Sequence, residues 1–244
     1  EKPVISHYPP DYSVNLSQTI DRPTTRLCGP VFAGHPAEAQ IIRLEGSGTY
    51  DSIQLDIPRF APFMAAGFMM AHSSFLKEVP MDPFLPWIFM GEEIVLSARL
   101  YTHGYDLFSP TKGIVGHRYV RREEPKYWES NNRYFLNMGP PVDVLVVQRI
   151  KYILGYPECA RDMLPTQTLL SHLYPRYGLG NRRSLQEYLD LVGLDMMEKQ
   201  VTKTNWCEDG SVPPNQPKHV ETLYQDAIKA KEEEEGAKAK QKKS

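Results

Sequence analysis

The chain has 244 residues, enough for one large domain or two small ones, and its 41% hydrophobic and 24% charged residues are ordinary for a globular protein. Its 28 Lys and Arg against 30 Asp and Glu give a formal net charge of −2, which excludes a strongly basic protein that binds nucleic acid through bulk electrostatics. No apolar run reaches the roughly 18 residues of a membrane span, and three cysteines are too few and too scattered for a disulfide scaffold or a zinc knuckle.

The first third of the chain is rich in turn formers, with short extended pieces such as Ala39–Leu44 between them. The apolar run Phe63–Met70, interrupted by Gly67, predicts a buried strand. A serine pair then offers an N-cap for a short helix over Phe75–Val79, which Pro80 ends. Three prolines make the following loop, residues 80–87, rigid.

The clearest predicted helix begins after Gly91. Glu92 and Glu93 occupy its first turn, where carboxylates interact favourably with the helix dipole. Apolar residues recur along its faces at helical spacing, His103 falls in the last turn, and Gly104 takes the position after the helix end.

The second half combines short strands with separated helices. Tyr105–Ser109 and Ile114–Tyr119 are predicted strands, and Asp143–Leu154 is a predicted helix closed by a glycine. Ser184–Val192 is a third helix that begins with a capping box, and the charged tail from about Val220 is a solvated helix or a disordered arm. Together these elements favour an α/β or α+β fold.

Gly91, Glu92 and Glu93 form the first candidate site. The two carboxylates follow an aromatic, proline-rich loop, and Gly91 lets a ligand approach the backbone. Hydroxyl acceptors beside an apolar face suit a sugar. The alternative is that the pair only complements the helix dipole, and Gly67 taken by itself is a small residue in a core strand.

The segment around His117 is the second candidate site. Imidazole is a common metal ligand, and the glycine before His117 leaves room beside it. Arg118, Arg121 and Arg122 could bind a diphosphate. The alternatives are a polar residue at a strand end and a surface cluster neutralised by neighbouring glutamates.

Several short motifs occur in a fixed order between residues 62 and 117: Pro62-Phe63-Met64-Ala65-Ala66-Gly67-Phe68, Asp82-Pro83, Phe89-Met90-Gly91-Glu92-Glu93, Ser97-Ala98-Arg99, Thr102-His103-Gly104 and Val115-Gly116-His117. This series closely resembles the GlcNAc-type glycosyltransferase family that includes the cytoplasmic hydroxyproline N-acetylglucosaminyltransferases, which modify the F-box-adaptor subunit of SCF ubiquitin ligases. Tyr8-Pro9-Pro10 and the segment 183–193 look similar as well, so the resemblance covers roughly residues 3–207. The middle block is more distantly similar to polypeptide N-acetylgalactosaminyltransferases.

The resemblance implies the C-terminal portion of a GT-A fold, an α/β fold with a mixed sheet and flanking helices. It implies retaining transfer of N-acetylglucosamine from UDP-GlcNAc, with a divalent metal, usually Mn²⁺, to a protein hydroxyl of hydroxyproline, serine or threonine. By match to the family motifs, His117 would ligate the metal, and Glu92 and Glu93 would meet the sugar and acceptor hydroxyls. Trp87 would lie beside them, and Gly67 would admit the donor sugar to the backbone.

One departure from the family concerns the metal. The acidic metal motif of the family, often Asp-Ser-His, lies just before the segment that matches Lys2-Pro3-Val4, where this chain begins. We therefore expect residues 1–215 to be the C-terminal part of a transferase domain with half a metal site, and residues 216–244 to be a charged helical or disordered tail. We expect little or no transferase activity from this isolated chain.

Two other functions are also consistent with the sequence. One is a non-catalytic module, derived from a transferase domain, that binds a peptide or a glycan; the other is a scaffold protein whose charged tail binds a partner. For the transferase, the expected partners are a nucleotide sugar and a protein acceptor. The expected compartment is the cytoplasm, with the Golgi as the alternative if a missing N-terminus carries an anchor.

Overall fold

A computed structural model describes residues 2–11, 24, 26–34, 40–47, 57–119, 125, 140–161, 165–202 and 216–241. The fold is mixed α/β, with a mixed sheet and several helices, as the sequence predicts. The strands are β1 (Lys2–Ser6), β2 (Arg26–Phe32), β3 (Ile42–Ser47), β4 (Arg59–Phe60), β5 (Met69–Ala71), β6 (Tyr105–Ser109), β7 (Leu194–Asp195) and β8 (Gln200–Val201). The helices are α1 (Phe75–Glu78), α2 (Glu92–Thr102), α3 (Pro140–Ile153), α4 (Pro157–Arg161), α5 (Pro165–Leu173), α6 (Leu185–Val192) and α7 (Lys218–Gln241), with a 3₁₀ turn at Pro175–Tyr177.

The four-stranded sheet has the order β4-β6-β1-β5. Strand β1 runs parallel to β6, with Val4 opposite Leu107, and antiparallel to β5, with Val4 opposite Ala71. Strand β1 is paired on both edges and therefore lies inside the sheet. The residues that follow it, from His7 onward, continue from the end of this inner strand. A separate antiparallel hairpin, β2-β3, contributes Leu27 and Ile42 to the main core.

Helix α2 crosses the centre of the molecule and is buried from Ile94 to Thr102. It begins after Gly91 and is capped at its end by His103, as the sequence predicts. Gly91 has a φ of +89°, in the left-handed region that glycine adopts without strain. A side chain at this position would also meet Ile41 and Ile150, at 2.8 and 3.1 Å from its Cβ. The glycine thus lets the loop pack tightly as it enters the helix.

The predicted strand over Phe63–Met70 is wrong. The chain reverses at Ala66 and Gly67, Ala65 and Phe68 face each other across an isolated bridge, and only Met69–Ala71 forms a strand. An apolar run indicates burial but not direction, because a tight turn and a strand can bury the same residues.

The second predicted strand, Ile114–Tyr119, is also wrong. Only His117 forms a bridge, a parallel one to Asp11, and the Ile114, Val115 and Tyr119 side chains are exposed. Among the described residues, no strand pairs with this segment beyond the single bridge at His117, so it does not continue the sheet.

The other predicted helices are confirmed, with small shifts at their ends. Helix α3 begins at Pro140 rather than Asp143, and Gly155 follows it with a φ of +69°. Helix α6 begins with the predicted capping box between Ser184 and Glu187.

The charged tail is helical over Lys218–Gln241, and its first two turns join the core. Val220 and Tyr224 are buried, and the Tyr224 hydroxyl donates to the Pro58 carbonyl at 3.0 Å and accepts from the Phe60 amide. The domain boundary at residue 216 stays a prediction. None of the helices in the described ranges is long and apolar enough to cross a membrane.

Candidate active site

Two cavities meet at the first turn of α2. The larger, which we call the polar cleft, has a volume of about 380 Å³ and is lined by Tyr8, Arg43, Glu45, Gly67, Glu92, Glu93 and His117 among others. The second, which we call the methionine pocket, has a volume of about 340 Å³ and is lined mainly by Met64, Met69, Met81, Leu85, Ile88 and Leu96. Glu92 and Ala66 line both cavities, so the two adjoin at these residues.

Glu93 is bound on both oxygens by the protein itself. Its Oε2 accepts a hydrogen bond from the Tyr8 hydroxyl at 2.6 Å, and its Oε1 accepts one from the Ala66 amide at 2.8 Å. Burial raises the pKa of Glu93, and these two hydrogen bonds partly offset the rise. The pKa of Tyr8 is raised by burial and by the neighbouring carboxylate. Through these two hydrogen bonds, Glu93 links the N-terminal segment to the turn at Gly67.

Two serines bind the backbone of the same turn. The Ser97 hydroxyl accepts from the Met64 amide at 2.7 Å, and the Ser6 hydroxyl accepts from the Ala65 amide at 2.8 Å. With Glu93 on Ala66, three consecutive amides are bound by three side chains that come from β1 and α2. Buried donors that are satisfied in this way rigidify the backbone, so the turn forms a fixed wall of the polar cleft.

Glu92 differs from its neighbour. Its Oε2 atom is buried and has no hydrogen-bond partner among the described residues. Burial, helped by the charge of Glu93, raises the pKa of Glu92 from 4.5 to about 7, although a backbone hydrogen bond opposes the rise. A carboxyl group with such a pKa exchanges its proton near neutral pH, which suits both acceptance of a hydroxyl hydrogen bond and acid–base chemistry.

Gly67 lies on the rim of the polar cleft, where a Cβ atom would come within 2.6 Å of the Pro9 ring. Only glycine therefore lets the turn and the N-terminal segment approach so closely. Gly91 lines the same cleft, and its glycine identity follows from its positive φ and its contacts with Ile41 and Ile150.

His117 lies in the wall of the polar cleft. Its amide donates to the Pro10 carbonyl at 2.9 Å, and its ring packs against Tyr119 with 4.4 Å between centroids. In the described ranges, no three His, Cys, Asp or Glu side chains come together as a metal-binding group. His117 would therefore supply only part of the ligand set of a metal.

The structure places the other predicted residues less centrally. Trp87 is 42% exposed, has a φ of +59°, and is not among the residues that line either cavity. Arg118 is exposed and outside the lining of both cavities as well. Arg121 and Arg122 lie outside the described residues.

Sequence reasoning missed Tyr8 and Arg43 as cleft residues. Arg43 and Glu45 alternate along β3 with the buried Ile42 and Leu44, so the two charged residues share one strand face. That alternation could have identified them. Nothing local to Tyr8 points to Glu93, which is 85 residues away in the chain.

A buried charge cluster adjoins the methionine pocket, whose lining includes Asp82 and Arg99. Arg149 Nε donates to Asp82 Oδ2 at 2.7 Å, and both side chains are 1% exposed. Arg99 donates to the backbone carbonyls of Pro80 and Gly178 at 2.8 and 3.1 Å, and burial lowers its pKa to about 10. This cluster attaches the loop before α2 to α2 and α3.

The model of one protein family, described as Glycosyltransferase (GlcNAc), matches residues 1–198. No curated protein matches the chain significantly. The matched range includes β1, the turn at Gly67, α2 and His117, and therefore both walls of the polar cleft. Membership of this family implies a sugar-nucleotide donor and an acceptor. Because the match covers most of its length, the chain belongs to the GlcNAc glycosyltransferase family.

Proposed function

We propose that this protein transfers N-acetylglucosamine from UDP-GlcNAc to a protein hydroxyl at the polar cleft. The observation that carries the proposal is Glu92. A buried carboxylate oxygen that has no partner among the described residues, at the junction of a polar cleft and an apolar pocket, needs a hydrogen-bond donor, and a substrate hydroxyl would supply it.

Each residue of the cleft has a distinct task in this proposal. Glu92 accepts a hydrogen bond from a sugar or acceptor hydroxyl and, near its pKa, takes up or releases a proton there. Glu93 positions the turn at Gly67, so that the backbone faces the donor sugar. Arg43 supplies a positive charge in the cleft that attracts the diphosphate, with Arg118 and Arg121 as further candidates.

The proposal keeps a GT-A fold, a retaining reaction and dependence on Mn²⁺. His117 would provide one ligand of the metal, and the remaining ligands would come from residues other than those described here. When bound, the metal would neutralise the leaving diphosphate.

The acceptor residue is hydroxyproline, serine or threonine in this proposal, with the hydroxyproline enzymes as the nearest resemblance and the N-acetylgalactosaminyltransferases as a more distant one. Two locations stay as proposals: the cytoplasm, which the sequence predicts, and the Golgi, its alternative. The disulfide bond of Cys28 supports the Golgi, because disulfides persist in oxidising compartments.

The test is release of UDP from UDP-GlcNAc with and without Mn²⁺, measured on the native protein and on the Glu92→Gln and Glu45→Gln variants. Glu45 is an exposed carboxylate in the lining of the same cleft and serves as the matched control. We expect Glu92→Gln to lower the rate about 100-fold and Glu45→Gln to change it much less. Absence of UDP release and of UDP-GlcNAc binding in the native protein would favour the non-catalytic peptide- or glycan-binding module instead.

A further inference from the structure

The methionine pocket is built for an apolar guest. Three of its lining residues are the methionines Met64, Met69 and Met81, whose unbranched, polarizable side chains adapt to guests of different shape. Leu85, Ile88, Val95 and Leu96 supply most of the remaining apolar lining. A volume of about 340 Å³ lies at the lower end of the range of small-ligand sites.

The two charged groups other than Glu92 in the pocket lining, Asp82 and Arg99, already have partners in the protein. Asp82 receives Arg149 Nε on one oxygen and the Phe84 amide on the other, at 2.7 and 2.9 Å. Arg99 donates to the Pro80 carbonyl at 2.8 Å and to two further carbonyls. The Nη1 and Nη2 atoms of Arg149 are buried without a hydrogen-bond partner among the described residues, but Arg149 does not line the pocket. An apolar side chain in the pocket would therefore leave Asp82 and Arg99 with the partners they already have.

The position of the pocket identifies the molecule that would enter it. Glu92 and Ala66 form part of both cavities, so a hydroxyl that meets Glu92 has its neighbouring atoms at the mouth of the methionine pocket. We propose that this pocket receives an apolar side chain of the acceptor protein, next to the residue that carries the acceptor hydroxyl. This inference rests on the proposed function and adds a rule for the choice of acceptor.

The acetamido group of the donor sugar is the competing occupant, and size argues against it. A cavity of about 150 Å³ is enough for a benzene molecule. The acetyl group is smaller than benzene, so it would leave most of the roughly 340 Å³ empty. A leucine or phenylalanine side chain fills the space better and gains more from the burial.

Methionine-methyl NMR of the whole chain tests the proposal directly. We would titrate the protein with pentapeptides that carry a central threonine, serine or hydroxyproline, flanked either by leucines or by glycines. We expect the leucine-flanked peptides to shift the methyl signals of Met64, Met69 and Met81 and to bind about 10-fold more tightly or better. Met196 and Met197, which do not line this pocket, serve as internal controls.

A pair of variants separates the pocket from surface hydrophobicity. Met81→Asp places a charge in the pocket wall, whereas Met70→Asp changes a methionine of similar exposure that does not line the pocket. We expect Met81→Asp to abolish the advantage of the leucine-flanked peptides and Met70→Asp to preserve it. Equal binding of leucine- and glycine-flanked peptides to the unmodified protein would overturn the proposal.

UDP-GlcNAc provides the last arm of the experiment. If the donor alone shifts the methyl signals of the pocket and blocks the leucine-flanked peptides, the acetamido group occupies the pocket and the proposal is wrong. If the donor does not bind, the proposed function fails; UDP release does not decide the matter here, because little transferase activity is expected from this chain alone. Peptide binding in the pocket is still read independently from the methionine signals.

Discussion

Glu92→Gln should increase the free energy of unfolding by an amount that grows with pH. Burial raises the pKa of Glu92 from 4.5 to about 7, so the folded protein holds this proton more tightly than the unfolded chain does. The stabilisation from the protonated carboxyl is complete below about pH 4.5 and is lost as the pH rises through about 7. Glutamine is neutral at every pH and avoids this loss.

The size of the effect follows from the shift in pKa. At roughly 1.4 kcal/mol for each pKa unit, a shift from 4.5 to about 7 corresponds to about 3 kcal/mol at high pH. Summed over the two protonation states, the loss is about 1 kcal/mol at pH 5 and about 3 kcal/mol at pH 8. The stability difference between Glu92→Gln and the unmodified protein should therefore grow by about 2 kcal/mol between these two pH values.

Urea unfolding at pH 5 and pH 8 measures this difference, because the midpoint and slope together give the free energy. Glu45→Gln is the control, since this exposed carboxylate has no burial to relieve and its replacement should have the same small effect at both pH values. A difference for Glu92→Gln that does not change between pH 5 and pH 8 would refute the claim that Glu92 is buried at a cost. Gain of stability at pH 8 together with loss of transfer would be the signature of a functional carboxylate.

Three further substitutions test the frame around the cleft. Gly67→Ala should destabilise the protein by about 1–3 kcal/mol, measured by thermal unfolding, because the new Cβ would meet the rigid Pro9 ring at 2.6 Å. Tyr8→Phe should cost about 1.5–3 kcal/mol at pH 8, where it removes a hydrogen bond to the Glu93 carboxylate, and an unchanged urea midpoint would contradict that bond. Asp106 is a buried carboxylate that lies 2.8 Å from an arginine and 2.6 Å from a histidine of α7. Asp106→Asn should therefore weaken the attachment of α7, and faster proteolysis within α7 is the expected result.

The helices were predictable because their signals are local. Ser184 and Glu187 form their capping box within one turn, and Gly155 marks the end of α3 by its own backbone conformation. Such features need no knowledge of the rest of the chain, since the interacting groups are three or four residues apart.

The turn at Gly67 was not predictable for the opposite reason. The side chains that hold its amides, Ser6, Ser97 and Glu93, lie 59, 33 and 27 residues from their partners. Glu92 and Glu93 look equivalent in the sequence, because they are neighbours at the start of one helix. Their difference depends on partners that are also distant in the chain. Only the fold brings Tyr8 to one of them and leaves an oxygen of the other without a partner.

The contrast among the buried carboxylates is the strongest argument for the site. Asp82 has Arg149 and a backbone amide, Glu93 has Tyr8 and a backbone amide, and Asp106 has Arg183 and His219. Among the described residues, Glu92 Oε2 and Asp106 Oδ1 are both buried without a hydrogen-bond partner, but Asp106 Oδ1 lies 2.8 Å from Arg183 Nη1. No ion pair between described residues involves Glu92. An apolar residue could fill the position of Glu92 without this desolvation cost, so packing alone does not explain the carboxylate. Its partner is therefore expected outside the described residues, and a hydroxyl is a group that both protonation states of Glu92 can bind.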